Sequence, residues 1–303
     1  MNAPAEDVRA GAWLQAMPAL FVLIWSTGFV VARLGMPHAP PLGFLALRFA
    51  LSVPLFLVWV AWSRASWPRN GMQWLHLAVV GALMHGGYLG GVWAAIKAGL
   101  GAGTVALIVG LQPLLTAIWV SLQGPEHRIG SRQWLGLLLG LAGLVLVVLD
   151  RLGSGQATAF NVTLALIALF GITAGTLYQK AWLLPCDVRT ASVVQLSAAF
   201  LVTAPLALLE HEAIRWHPDL LLAMAWSVFA LTLGASSLLY LLIQRGAATT
   251  VSSLMYLVPP TTAVMAWLLF DEPISAAMVI GIVLTAVGVG LVLARQRRSA
   301  ARA

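Results

Sequence analysis

One apolar run of membrane length, interrupted by a proline and present twice, constrains this chain more than any other feature. Residues 105–122 read VALIVGLQPLLTAIWVSL, with Gln112 and Pro113 near the middle. Some 20 residues rising about 1.5 Å each cross a hydrocarbon core of about 30 Å. A proline inside such a helix removes a backbone donor and frees the carbonyl four residues back, that of Val109. A freed carbonyl is costly in lipid, so Gln112 and Pro113 are expected to face the protein interior or a wet cavity. Residues 251–268, VSSLMYLVPPTTAVMAWL, repeat the pattern 146 residues later. Val105 pairs with Val251, Leu111 with Leu257, Pro113 with Pro259 and Ala117 with Ala263. Each copy runs into an acidic turn, at Glu126 and Glu272. A constant offset through a whole segment marks internal duplication.

Composition agrees with a membrane chain. Of 303 residues, 60% are hydrophobic and only 9% charged, too little charge for the surface of a soluble domain this size. The formal net charge of +7 reads as the basic excess of cytoplasmic loops and not as a nucleic-acid site, because no basic run is interleaved with aromatics. The single cysteine, Cys186, cannot pair within the chain, and no Cys or His spacing fits a metal site. The first apolar stretch lacks a clear cleavage site and reads as an anchor that is kept.

Hydropathy predicts ten helical spans at about 14–34, 41–62, 73–97, 102–122, 133–150, 160–182, 190–210, 219–243, 249–270 and 276–295. The runs are about twice the length of a barrel strand and do not alternate. With the amino terminus inside, basic residues such as Arg64, Arg69, Arg128, Arg132 and Arg189 fall on the cytoplasmic side. Only Arg33, Lys97, Arg151 and Arg215 fall outside. That bias of about threefold places both termini in the cytoplasm. The expected organisation is a cytoplasmic tail at 1–13, five-helix repeats at 14–150 and 160–295, and a basic cytoplasmic tail at 296–303.

The duplication covers both halves. The offset is 147 for Gly28 with Gly175, Arg33 with Lys180, Trp93 with Tyr240 and Ile96 with Ile243. It falls to 145 for Gly136 with Gly281 and Gly143 with Gly288, as one-residue changes in loops would cause. Five spans per half is an odd number, so the halves enter the membrane in opposite directions. The predicted fold class is therefore an all-α integral membrane protein, ten transmembrane helices arranged as two inverted five-helix repeats, with a site near the midplane between them.

The segments LIWSTGFVVAR at 23–33, PLGFLALRF at 41–49 and VALIVGLQP at 105–113, the copy ending in Pro259, and the glycine-rich fifth and tenth spans carry a resemblance. Together they resemble the EamA family of the drug/metabolite transporter superfamily, over about residues 14–295. The resemblance implies a carrier of small metabolites that works by alternating access through a central cavity, some members exporting amino acids. In one respect the chain departs from the superfamily pattern. Small multidrug relatives use a glutamate in the first span, and here that span has no acid.

The candidate site residues follow from depth and chemistry. His85 sits mid-span with Tyr88 and Trp93 near its face, and ionisable groups at that depth usually face an interior. It reads either as a core histidine bonded to a neighbouring helix or as a cavity wall, with proton carriage as a further role. Gln112, Trp25, Tyr240 and Tyr256 complete the expected cavity, the aromatics competing with plain packing. Pro113, Pro259 and Pro260 are expected to break helices at the midplane. Arg48 reads as a polar bridge, since its repeat partner is Gln195, or as an anion contact. Gly136, Gly140 and Gly143 are expected to pack helices.

The leading functional class is a secondary transporter in the inner membrane, exporting a metabolite such as an amino acid. Its partners are that small molecule, the lipid bilayer and candidate coupling protons, with no nucleic acid and no cofactor; nothing in the sequence points to an oligomeric state. No GxSxG, HExxH or paired membrane carboxylate supports a membrane enzyme, and no GxxxxGK[ST] loop supports an ATP-driven pump. A structural membrane protein has no need of opposed halves.

Overall fold

The computed structural model describes residues 5–122, 130–235, 238 and 255–300, with side chains described from 17 to 291 except that of residue 256. Among these residues every regular element is helical. Eight helices are long and apolar enough to cross a membrane: Met17–Gly35, Pro41–Ser63, Gly71–Lys97, Ala102–Ser121, Ser131–Gly153, Ala159–Trp182, Val188–Ala207 and Pro218–Ala235. Two shorter apolar helices, Val258–Phe270 and Ala276–Leu291, follow.

The elements used below are α1 (Ala5–Gly35), α2 (Pro41–Ser63), α3 (Gly71–Gly81), α4 (Gly90–Lys97), α5 (Ala102–Val109) and α6 (Gln112–Ser121). They continue with α7 (Ser131–Gly153), α8 (Ala159–Trp182), α9 (Val188–Ala207), α10 (Pro218–Trp226), α11 (Val258–Phe270) and α12 (Ala276–Ala300). Two π-helical segments, Ala82–Leu89 between α3 and α4 and Ser227–Ala235 after α10, keep their spans continuous.

Local chemistry sets the helix ends. Pro41 opens α2, where its missing N–H costs nothing. Asn70 accepts the Met72 amide to start α3, and Thr158 with Asn161 forms a capping box on α8. Asp187 accepts the Arg189 amide at the start of α9. The Arg189 guanidinium also donates to both of its carboxylate oxygens, at 2.9 and 2.6 Å. These bonds hold the Asp187 carboxyl below the usual carboxylate range, so the cap stays charged.

The starts of the helices recur with the duplication. α2 and α9 begin at 41 and 188, and α3 and α10 at 71 and 218, both 147 apart. α6 and α11 begin at 112 and 258, 146 apart, and α7 and α12 at 131 and 276, 145 apart.

α7 and α12 pack through glycine. A Cβ added to Gly143 would lie 2.6 Å from the Gly281 carbonyl oxygen, and one on Gly288 would lie 2.8 Å from the Gly140 nitrogen and close to the Gly136 carbonyl. Only hydrogen fits in such gaps, as in other small-residue interfaces between membrane helices. Gly143 meets Gly281 while Gly136 meets Gly288, so the two helices run antiparallel. The opposite face of α7 presents Leu135, Leu138, Leu141, Val145 and Leu149, all exposed. An apolar surface of that extent suits lipid and not water.

The helix carrying Pro113 is broken, but not at the proline itself. α5 ends at Val109 and the chain restarts as α6, with the Gly110 and Leu111 amides turning back to Ala106 and Ile108 carbonyls. Pro113 therefore lies in the first turn of a new helix, where no donor is missed. In the second half one 3₁₀ turn, Met255–Leu257, precedes α11, and Pro259 occupies the corresponding first turn.

Candidate substrate cavity

A cavity with about 780 Å³ of unfilled space, its mouth included, opens among α1, α2, the π-helical segment 82–89, α4, α8, α9 and the segment 227–235. Its lining is mostly apolar: Trp25 and Phe29 from α1, Met84, Leu89 and Val92, Ile172 from α8, Leu196 from α9 and Leu231. The polar lining is Arg48, His85, Tyr88 and Thr232, with no carboxylate among the described residues.

Five of the residues expected from sequence meet here: Trp25, Arg48, His85, Tyr88 and Trp93. Trp93 is 1% exposed and stacks on Phe44 with ring centroids 4.3 Å apart, so it is core and cavity wall together. Trp25 packs on Phe21, and His85 sets its edge against Phe49 at 6.1 Å. Gln112 is not part of this wall. Its Nε2 donates to Thr176 Oγ1 at 2.9 Å, a bridge from α6 to α8 that satisfies the amide away from the cavity. Pro259 and Pro260 line a smaller separate space beside Gly110, and Pro113 lines neither. Tyr240 and the Tyr256 side chain lie outside the described residues.

The polar groups are arranged in two equivalent pairs. Arg48 Nε and Nη2 donate to Thr232 Oγ1 at 3.1 and 3.0 Å, and the Gln195 side chain lies beside His85. Arg48 and Gln195 are repeat partners, 147 apart, and so are His85 and Thr232. Each pair joins the second helix of one half to the third of the other. His85 and Thr232 both sit in the π-helical segments, where the widened turn displaces a side chain from the regular α register, as at many functional sites. Thr232 was missed in the sequence because a threonine in an apolar span is unremarkable. The signal that finds it is the same 147-residue offset applied to His85.

Similarity to known proteins agrees with this architecture. The EamA-like transporter family pattern matches residues 13–149 and again 159–294. This chain belongs to the EamA-like transporter family. It is 26% identical over 293 residues to an uncharacterized transporter of Archaeoglobus fulgidus, covering 92% of this chain and 97% of that protein. It is 24% identical over 280 residues to a probable amino-acid metabolite efflux pump of Escherichia coli, covering 89% and 91%. A solved crystal structure with 20% identity has the same fold, with a TM-score of 0.61 over 93% of this chain and 96% of that one. This EamA-like protein is thus an integral membrane transporter of the drug/metabolite superfamily, and its cavity lies where the two matched segments meet.

Among the described residues one group of metal-ligand types also gathers: His38, His217 and Asp219, with ligand atoms within 4.8 Å of one another. His217 Nδ1 accepts the Asp219 amide and so caps α10, and the two imidazoles stack at 4.2 Å. The group ties the α1–α2 turn to the start of α10.

Proposed function

We propose that this protein is a secondary transporter that exports a small metabolite of the amino-acid class, by alternating access of the central cavity between two inverted five-helix repeats. The observation that carries this reading is the pair of equivalent links, Arg48 with Thr232 and Gln195 with His85, facing one cavity from opposite halves. A cavity on a pseudo-twofold axis can be exposed to either side by equal and opposite rocking of the halves. The antiparallel packing of α7 on α12 supports the inversion. The repeats are 14–150 and 160–295, ten transmembrane helices in all. The Escherichia coli relative's description as a probable amino-acid metabolite efflux pump supports the cargo class and direction.

Both termini face the cytoplasm in this reading, and the end carrying Lys97, Glu210 and Glu212 is external. Links between the halves close that end. Glu210 accepts the Leu42 and Gly43 amides at 3.0 and 2.8 Å, and Lys97 pairs with Glu212 at 2.7 Å. Outward opening breaks them. A cysteine-free background with Ala213→Cys is expected to react with a membrane-impermeant thiol reagent in intact cells, and one with Arg69→Cys only after lysis. The reverse labelling pattern discards the orientation.

The function is tested by comparing amino acids in the medium of cells lacking and overproducing the protein, followed by counterflow in liposomes for any that differ. Overproduction is expected to raise at least one exported amino acid. Identical profiles, with no counterflow of any amino acid, reject the reading.

A further inference from the structure

Arg48 has more hydrogen-bonding capacity than its surroundings use. Its Nε and Nη2 share Thr232 Oγ1 as acceptor, and that hydroxyl donates to the Ser227 carbonyl at 2.8 Å. The threonine's proton and both lone pairs are then committed. The guanidinium is a planar fork, and its second edge, Nη1 with the remaining Nη2 proton, meets no acceptor among the described residues. The side chain is only 6% exposed and lines the cavity, where no carboxylate among the described residues balances it.

The repeat provides an internal comparison. Gln195 and His85 stand at the equivalent positions in the other half, side by side and without a permanent charge. Holding the two helices together there does not need a cation. The charge of Arg48 exceeds what packing requires, and a buried unpaired charge is expensive to keep. Its field reaches both His85 and Tyr88.

We propose that the free edge of Arg48 is an anion subsite, which receives the carboxylate of an organic anion or zwitterion while the cargo's apolar part lies against Trp25, Tyr88 and Trp93. The proposal rests on the transporter reading, because it assigns the cavity to cargo. It makes the carboxylate a recognition element: an amide or ester of the same shape leaves the guanidinium's charge unneutralised, and a bare amine is repelled.

Three probes of one shape test it on the purified full chain by equilibrium dialysis: phenylacetate, phenylacetamide and phenethylammonium. The parent is expected to bind phenylacetate about tenfold or more tightly than the other two. Arg48→Gln erases that preference and Arg48→Lys keeps part of it. Thr232→Val, which removes the bridge and leaves the charge, retains it. Equal binding of the three probes by the parent, or no measurable phenylacetate binding, overturns the subsite whether or not Arg48→Gln folds. So does a preference that survives Arg48→Gln, or one that Thr232→Val abolishes as fully, since Arg48 is then a bridge alone. An anion preference in a protein that shows no counterflow keeps the subsite and rejects the transporter reading; counterflow without the preference does the opposite.

Discussion

Gly81→Ala is expected to remove most of the correctly folded protein from the membrane. Gly81 closes α3 against α9, and a Cβ there would overlap the Gln195 carbonyl oxygen and lie 2.6 and 2.7 Å from its Cα and carbonyl carbon. All three atoms are backbone, so no side chain can swing aside. Packed helices do not compress by such amounts, and the methyl must push α3 and α9 apart. Overpacking of this kind costs about 1–3 kcal/mol or more, a large share of a marginal stability. The damage also reaches the cavity, because the displaced residue, Gln195, neighbours His85 in the wall. Gly71→Ala is the control: nothing lies within 4 Å of its Cβ position, and alanine is the better helix former. Fluorescence size-exclusion profiles and melting curves of detergent extracts read the outcome. A Gly81→Ala protein that is monodisperse and melts with the parent contradicts the close approach of α3 and α9.

How much of this was readable in advance depends on the range of the signal. Hydropathy and the proline-bearing copies report on one segment at a time, and the eight membrane-length helices overlap the first eight spans those signals predict. Trp25, Arg48, His85, Tyr88 and Trp93 share the cavity because polar and aromatic groups inside apolar spans have few other places to go. The same rule failed for Gln112. A single neighbouring hydroxyl, Thr176 on α8, satisfies its amide, and which helix comes to lie beside α6 is not written in the sequence of α6. The position of the proline break also escaped. Pro113 marks the region, yet the chain releases the helix at Gly110 and Leu111, so that the proline falls in a first turn.

The pairing of Arg48 with Thr232 was half legible. The repeat made Gln195 the counterpart of Arg48, and that alone favoured a polar bridge. Carrying the offset to His85 identifies Thr232 and so both links. What no offset can supply is the difference between the links: one ends in an imidazole that can accept a proton, and the other begins with a permanent cation that a threonine cannot neutralise. The two halves share a scaffold, and the cavity between them is chemically polarised.

That asymmetry bears on the variant expected to harm transport most cleanly. His85→Ala should lower export by about tenfold or more while leaving the amount of membrane protein within about twofold of the parent. His85 lines the cavity from the π-helical segment 82–89. Truncation removes its contact with cargo and takes the imidazole away from the neighbouring Gln195 side chain, whose amide cavity water can then reach. The fold tolerates the change because the ring sits at the cavity edge against Phe49, outside the dense packing around Phe44 and Trp93. Gln195→Ala separates the two effects. It frees the imidazole without removing it, so a wall residue that touches cargo predicts a smaller loss than in His85→Ala, whereas a merely structural link predicts equal losses. Initial export rates, normalised to the amount of protein in the membrane, decide between them. Parental rates in His85→Ala would take His85 out of the site while leaving the family membership intact.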